Sequence, residues 1–190
     1  MPEVSILVPE VRADVAGCPK QTVLAAIRRA HAEFCDRSGI WRMTLESPVY
    51  FVRGVREGQA QLPPETSIAR IVWLRRQGAP LEPHEYSPSG RDIVLRQPPQ
   101  QDFEAQARVV LRPDPHATRM DDALYARWSE AIFHGALWRL MSRAGQQWTN
   151  AEGALYHKAQ FDREIGRASA RAAQDFFRNT DRRRSRNGFM

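Results

Sequence analysis

The sequence predicts an α+β fold: an α-helical bundle with a long antiparallel C-terminal helical hairpin and a small inserted antiparallel β-domain. Three observations predict it. Apolar residues recur at helical spacing near the start of the chain and again over its last third. Between them, residues 40–115 carry short apolar bursts, and the prolines there stay in the gaps, as a sheet requires. Helices and strands segregated in this way belong to α+β architectures, not to a parallel α/β alternation. The chain of 190 residues, 42% hydrophobic and 26% charged, is long enough to build its own core and too apolar for wholesale disorder.

The first helical signal is a short stretch after Pro9 that ends at Gly17. A longer helix opens at Cys18-Pro19, where the missing proline N–H costs nothing, and Val23, Ile27, Ala30 and Phe34 share one face. Ser38-Gly39 stops it, because glycine tolerates the left-handed conformation at a helix end. Bursts at 41–45, 49–52, 68–74, 93–95 and 107–111 follow, separated by segments such as Leu62-Pro63-Pro64 and Gln97-Pro98-Pro99. They predict an antiparallel sheet of four to six strands. Beyond Pro113 and Pro115 the chain returns to helix over 122–143, with Asp121 or Asp122 as N-cap. Leu124, Trp128, Ile132, Phe133, Ala136, Leu137 and Leu140 make this helix apolar over much of its circumference, which places it centrally. Thr149 and Glu152 match a capping box for a last helix over 150–178, running on Ala151, Leu155, Lys158, Phe161, Ile165, Ala168, Ala172 and Phe176. The expected organisation is therefore N-terminal helices of the bundle at 1–39, the β-domain at 40–115, the helical hairpin at 116–178 and a basic arm at 179–190.

Charge is unevenly placed. The net charge is +6, and residues 167–190 carry seven arginines against Asp175 and Asp181, leaving a nearly neutral body. Three roles suit the arm: a solvated tail, a contact to DNA phosphates, or a segment that orders on a partner protein. In the last, Arg182, Arg183, Arg184 and Arg186 meet acidic groups and Phe189 and Met190 act as apolar anchors. The apolar tip favours docking. Cys18 and Cys35 fall at the two ends of one predicted helix, about 25 Å apart, so they are expected as free thiols. With no positive leader and no long apolar run, the chain is expected to be made in the cytoplasm and to have no membrane partner.

The sequence holds no GxGxxG, GxxxxGK[ST] or GxSxG, the patterns that cradle phosphates or present a nucleophilic serine. His31, His84, His116, His134 and His157 are never closer than 18 residues in sequence, so none forms a local metal pair. No enzyme, cofactor or metal is expected. His134 and His157 lie on the two predicted hairpin helices and can face each other, as a pH-sensitive or ligand-binding pair or as an ordinary interior pair. Trp128, Trp138 and Trp148 recur every ten residues. A base-stacking platform is one use of such spacing; helix packing or a subunit interface, shared with Phe161 and Phe176, is the other.

Several of these segments resemble head-to-tail adaptor proteins of tailed bacteriophages, the tail tubular protein A-like group. They are Asp122 through Met141, Gln147-Trp148-Thr149-Asn150, Tyr156 through Phe161, and Gly17-Cys18-Pro19 through Cys35 with Ile40-Trp41. The resemblance touches both ends of the chain and skips the sheet region. It implies a virion protein that assembles as a ring, usually of twelve copies, in the head-tail neck. The portal protein sits above and a tail or neck protein below, double-stranded DNA passes non-specifically through the lumen, and the C-terminal segment docks on the portal. The arm here is richer in arginine than the family pattern, which leaves the nature of its acceptor open. Two other classes remain: a DNA-binding or packaging accessory protein acting through the arginines, and an enzyme whose residues converge only in the folded chain.

Overall fold

The computed structural model describes residues 1–186, with side chains through residue 174. After a 3-10 turn at Val4–Leu7 come α1 (Val8–Asp14) and α2 (Lys20–Ser38). The strands are β1 (Arg42–Thr44), β2 (Val49–Phe51), β3 (Glu57–Gln59), β4 (Thr66–Arg76), β5 (Ala79–Pro80), β6 (Tyr86–Ser89), β7 (Asp92–Leu95) and β8 (Phe103–Pro113). Two helices close the chain, α3 (Asp122–Met141) and α4 (Ala151–Arg186).

This architecture corrects the expected fold class. It is not a helical bundle with a long hairpin and a small insert, but a mixed α/β chain of four helices and two antiparallel sheets, 44% helical and 25% strand. One sheet holds β1-β8-β4-β5 with β2 also on β8, and the other holds β3-β7-β6. The sheet content exceeded expectation for two reasons. First, β4 and β8 are each 11 residues long, yet only 68–74 and 107–111 looked like strands. Polar residues such as Arg75, Arg76, Glu104 and Gln106 extend the pairing beyond the apolar bursts. Register shifts between Ile68 and Arg70 and between Ile71 and Trp73 also break the period-two alternation. Second, β1, β2 and β3 have three residues each, too few to show a period.

The strands have a core of their own. Phe51, Leu74, Ile93 and Phe103 are buried, and the Phe51 and Phe103 rings stack at 5.0 Å. A Cβ on Gly58 of β3 would lie 2.6 Å from Val49 and Phe51 of β2, so glycine lets the smaller sheet close over the larger. The helical core gathers Val23, Ile27, Ala30 and Phe34 of α2 with Ile132, Leu137 and Leu140 of α3 and Phe161 and Ala168 of α4. α2 also packs on β8. Polar ties cross the same boundary, with Arg28 donating to the Ala117 carbonyl at 3.0 Å and Arg42 to the Ala172 carbonyl at 2.9 Å.

Local signals behave unevenly. Gly39 ends α2 at φ 58°, and a Cβ there would also strike the Arg70 guanidinium at 2.5 Å. Asp121 caps α3, accepting from the N–H groups of Ala123 and Leu124. The expected capping box at Thr149 is corrected: Asn150 Oδ1 accepts from Gly153 N–H, while the Thr149 hydroxyl accepts from Gln146 N–H and closes the preceding loop. Both cysteines are buried free thiols, and burial raises the pKa of each.

Candidate assembly surface

Four of the aromatic residues singled out from sequence, Trp128, Trp138, Trp148 and Phe161, pack in or against the helical core cluster. Phe161 is fully buried, 6.4 Å from Phe34 and 6.2 Å from Trp138 between ring centroids. Trp128 packs on Phe34 at 5.5 Å, and Trp138 and Trp148 are partly buried against the same cluster. Gly135 permits the close approach, since a Cβ there would lie 2.7 Å from the Phe161 ring and 3.0 Å from Ala30. The Phe176 side chain and those of Arg182, Arg183, Arg184 and Arg186 lie outside the described residues, as do Phe189 and Met190 altogether.

An ion-pair chain fastens the inner edge of α4. Arg139 of α3 pairs with Glu33 of α2; Glu33 also takes Arg37 at 3.0 Å, and Arg37 reaches Asp162 of α4 at 2.8 Å. Lys158 closes the chain on Asp162 at 2.7 Å. Such partly exposed pairs orient α4 more than they stabilise it.

The opposite side of α4 is unoccupied by the rest of the described chain. Its buried stripe is Ala154, Phe161, Ile165, Ala168 and Ala172. Leu155, which was placed on that stripe from sequence, instead points outward at 70% exposure, with Tyr156 beside it at 57%. Ala159, Arg163, Gly166, Ala170 and Ala173 continue this exposed face. The available signal was the spacing of Ala154 to Phe161 and Phe161 to Ala168, which leaves Leu155 about 100° off the stripe. A Cβ on Gly166 would meet no heavy atom within 4 Å. Gly166→Ala is therefore expected to raise stability by about 1 kcal/mol through helix propensity, measured as an upward shift of the urea midpoint.

A second exposed face has the opposite charge. Ile6 is 50% exposed, and Glu3, Pro9, Glu10, Ala13 and Asp14 are exposed with it along the N-terminal turn and α1. Arg163, Arg167 and Arg171 are the exposed basic groups of the α4 face and its flank. Each face thus offers apolar side chains, and the charges are opposite in sign across the two.

Between them lies the histidine pair. His134 Nδ1 and His157 Nδ1 are 2.8 Å apart, with Phe133 and Tyr156 each edge-on to both rings. Burial lowers both pKa values; for His134 the carboxylates Glu130, Glu164, Asp14 and Glu10 oppose the shift, and for His157 the neighbouring His134 adds to it.

An open cleft of about 450 Å³ runs along α3 and α4, lined by Arg127, Trp128, Glu130, Ala131, Glu164, Arg167 and Arg171. Arg167 is paired with Glu164 at 2.7 Å. Among the described residues no group of three or more His, Cys, Asp or Glu side chains could hold a metal ion, and no helix is long and apolar enough to cross a membrane. Comparison with protein-family models and with curated protein sequences finds no match.

Proposed function

We propose that the chain is a structural subunit of the adaptor ring that joins head to tail in a tailed bacteriophage, seated beneath the portal with DNA passing through its lumen. The observation that carries this is the exposed α4 face around Leu155, Tyr156 and Arg163, paired with an acidic, apolar face on the N-terminal turn and α1. An α-helical face from residue 152 to 173 is about 33 Å long, enough to seat a neighbouring subunit's helix along its length. The complementary faces belong to different elements, so copies can join head to tail in a heterologous contact. Contacts of that type generate rings when the rotation closes. The segments that resemble phage adaptors include α2, α3 and the first half of α4, the helices that support both faces.

Charge reversal tests it. With portal present to nucleate assembly, Arg163→Glu or Glu10→Arg alone is expected to weaken self-association about tenfold or more in sedimentation velocity, and the double variant to recover part of the loss. Single variants that assemble like the unaltered chain would contradict the proposed contact.

A further inference from the structure

We infer that His134 and His157 form a proton-sensitive catch that holds Tyr156 in place on the α4 face, so that acidification unfastens the face through which the chain assembles. The consequence for assembly rests on the proposed function above, while the chemistry of the catch does not.

The hydrogen bond has one possible composition. With Nδ1 facing Nδ1 at 2.8 Å, one ring donates an N–H and the other accepts through its lone pair. Glu130 Oε1 lies 3.9 Å from His134 Nε2, so the neighbouring carboxylate favours a proton at that nitrogen. Glu164 from α4 and Glu10 and Asp14 from α1 add negative potential at His134, and Asp14 does so at His157. In the singly protonated pair His134 therefore carries the charge and donates its Nδ1–H to His157 Nδ1. A first added proton gives this charged pair and leaves the Nδ1–H···Nδ1 bond intact as a charge-assisted one. A second can enter only at His157 Nδ1, where it faces the His134 N–H. That proton breaks the bond and sets two partly buried cations side by side.

Separation of the rings cannot stay local. Tyr156 meets His134 at 6.1 Å and His157 at 5.1 Å, both edge-on, and Phe133 meets the same two rings edge-on at 5.4 Å and 6.2 Å. The pair thus packs on both Phe133 and the tyrosine that sits beside Leu155 on the exposed face. Driving the two rings apart removes the support beneath Tyr156. The catch is closed with no added proton or one, and open with two.

The test uses the full chain with a metal chelator present, so that no ion replaces the proton. Imidazole nitrogen NMR spectra are recorded from about pH 8 to pH 5 beside sedimentation of the portal-nucleated assembly. The expected result is coupled titration, His134 taking up the positive charge first and His157 Nδ1 protonating later, with assembly weakened about tenfold or more at the acid end. In His157→Gln, which cannot titrate, assembly should not vary with pH, and His134 should titrate as a single site. Two independent titrations, each unchanged by substitution of the other histidine, would overturn the catch. Coupled titration with pH-independent assembly would overturn its regulatory role. Coupled titration in a chain that assembles at no pH would overturn both that role and the proposed assembly, while the catch itself stands.

Discussion

Replacing Phe161 with alanine is expected to destabilise the fold by about 3–5 kcal/mol, the range for deleting a fully buried phenylalanine ring. The ring has no exposed surface and stands where three helices meet: Phe34 comes from α2, Gly135 and Trp138 from α3, and Phe161 itself from α4. The Arg139 guanidinium lies 5.8 Å from its centroid and loses that contact as well. Collapse into the space is restricted, because α2 is also held against β8 and α4 is anchored through Asp162. Urea unfolding provides the measurement, read as a lower midpoint at unchanged slope. A Phe161→Ala variant within 1 kcal/mol of the parent would mean that α4 does not seal this junction. Leu155→Ala, six residues away on the same helix and 70% exposed, is the internal contrast: its expected effect on the monomer is within about 0.5 kcal/mol.

Acid should weaken the fold through His31. Its ring is 1% exposed and stacked on Trp41 at 6.3 Å, and its Nε2 has no hydrogen-bond partner among the described residues. Burial lowers its pKa to about 4 from the ordinary 6.5. The unfolded chain therefore binds a proton that the folded chain refuses between these values. Stability is unaffected by this group above pH 6.5, falls as the pH drops, and is lower by about 3 kcal/mol near pH 4. His134 and His157 act in the same direction, since their pKa values are also lowered. His31→Leu should flatten the stability curve over this interval, because leucine fills the site without orphaning a partner. A variant that loses stability with acid as steeply as the parent would show that His31 is not the principal group.

The helices were legible in the sequence wherever one face was apolar and the ends carried their own chemistry. Val23, Ile27, Ala30 and Phe34 are all buried, Asp121 caps α3, and Gly39 ends α2. The sheet was less legible because its long strands are mixed in polarity. β8 alternates buried and exposed residues at its start and then buries Val109, Val110 and Leu111 in succession, its two faces serving the sheet core and the helices. A period-two template misses that change of environment, so the β-half looked like an insert when it is a second core.

The candidate surface was hidden for a different reason. Leu155 lies beside Tyr156 on an apolar-striped helix, and composition alone assigns Leu155 inward. Only the heptad of Ala154, Phe161 and Ala168 separates it from the core. Ile6, at 50% exposure, sits in a 3-10 turn too short to carry any periodicity. The histidine pair was visible as a possibility once two helices were placed side by side, but the Nδ1 facing Nδ1 geometry that gives it meaning depends on the phase of each helix.

In the proposed assembly, copies of this chain close into a ring by seating the α4 face of one against the α1 face of the next, beneath the portal. Electron cryomicroscopy of the purified chain mixed with its portal tests it most directly. The account predicts a closed ring stacked on the portal, with Leu155, Tyr156 and Arg163 of each copy facing Ile6, Glu10 and Asp14 of its neighbour. Portal particles bare of the chain, or a ring in which the outward face of α4 remains in solvent, would contradict it.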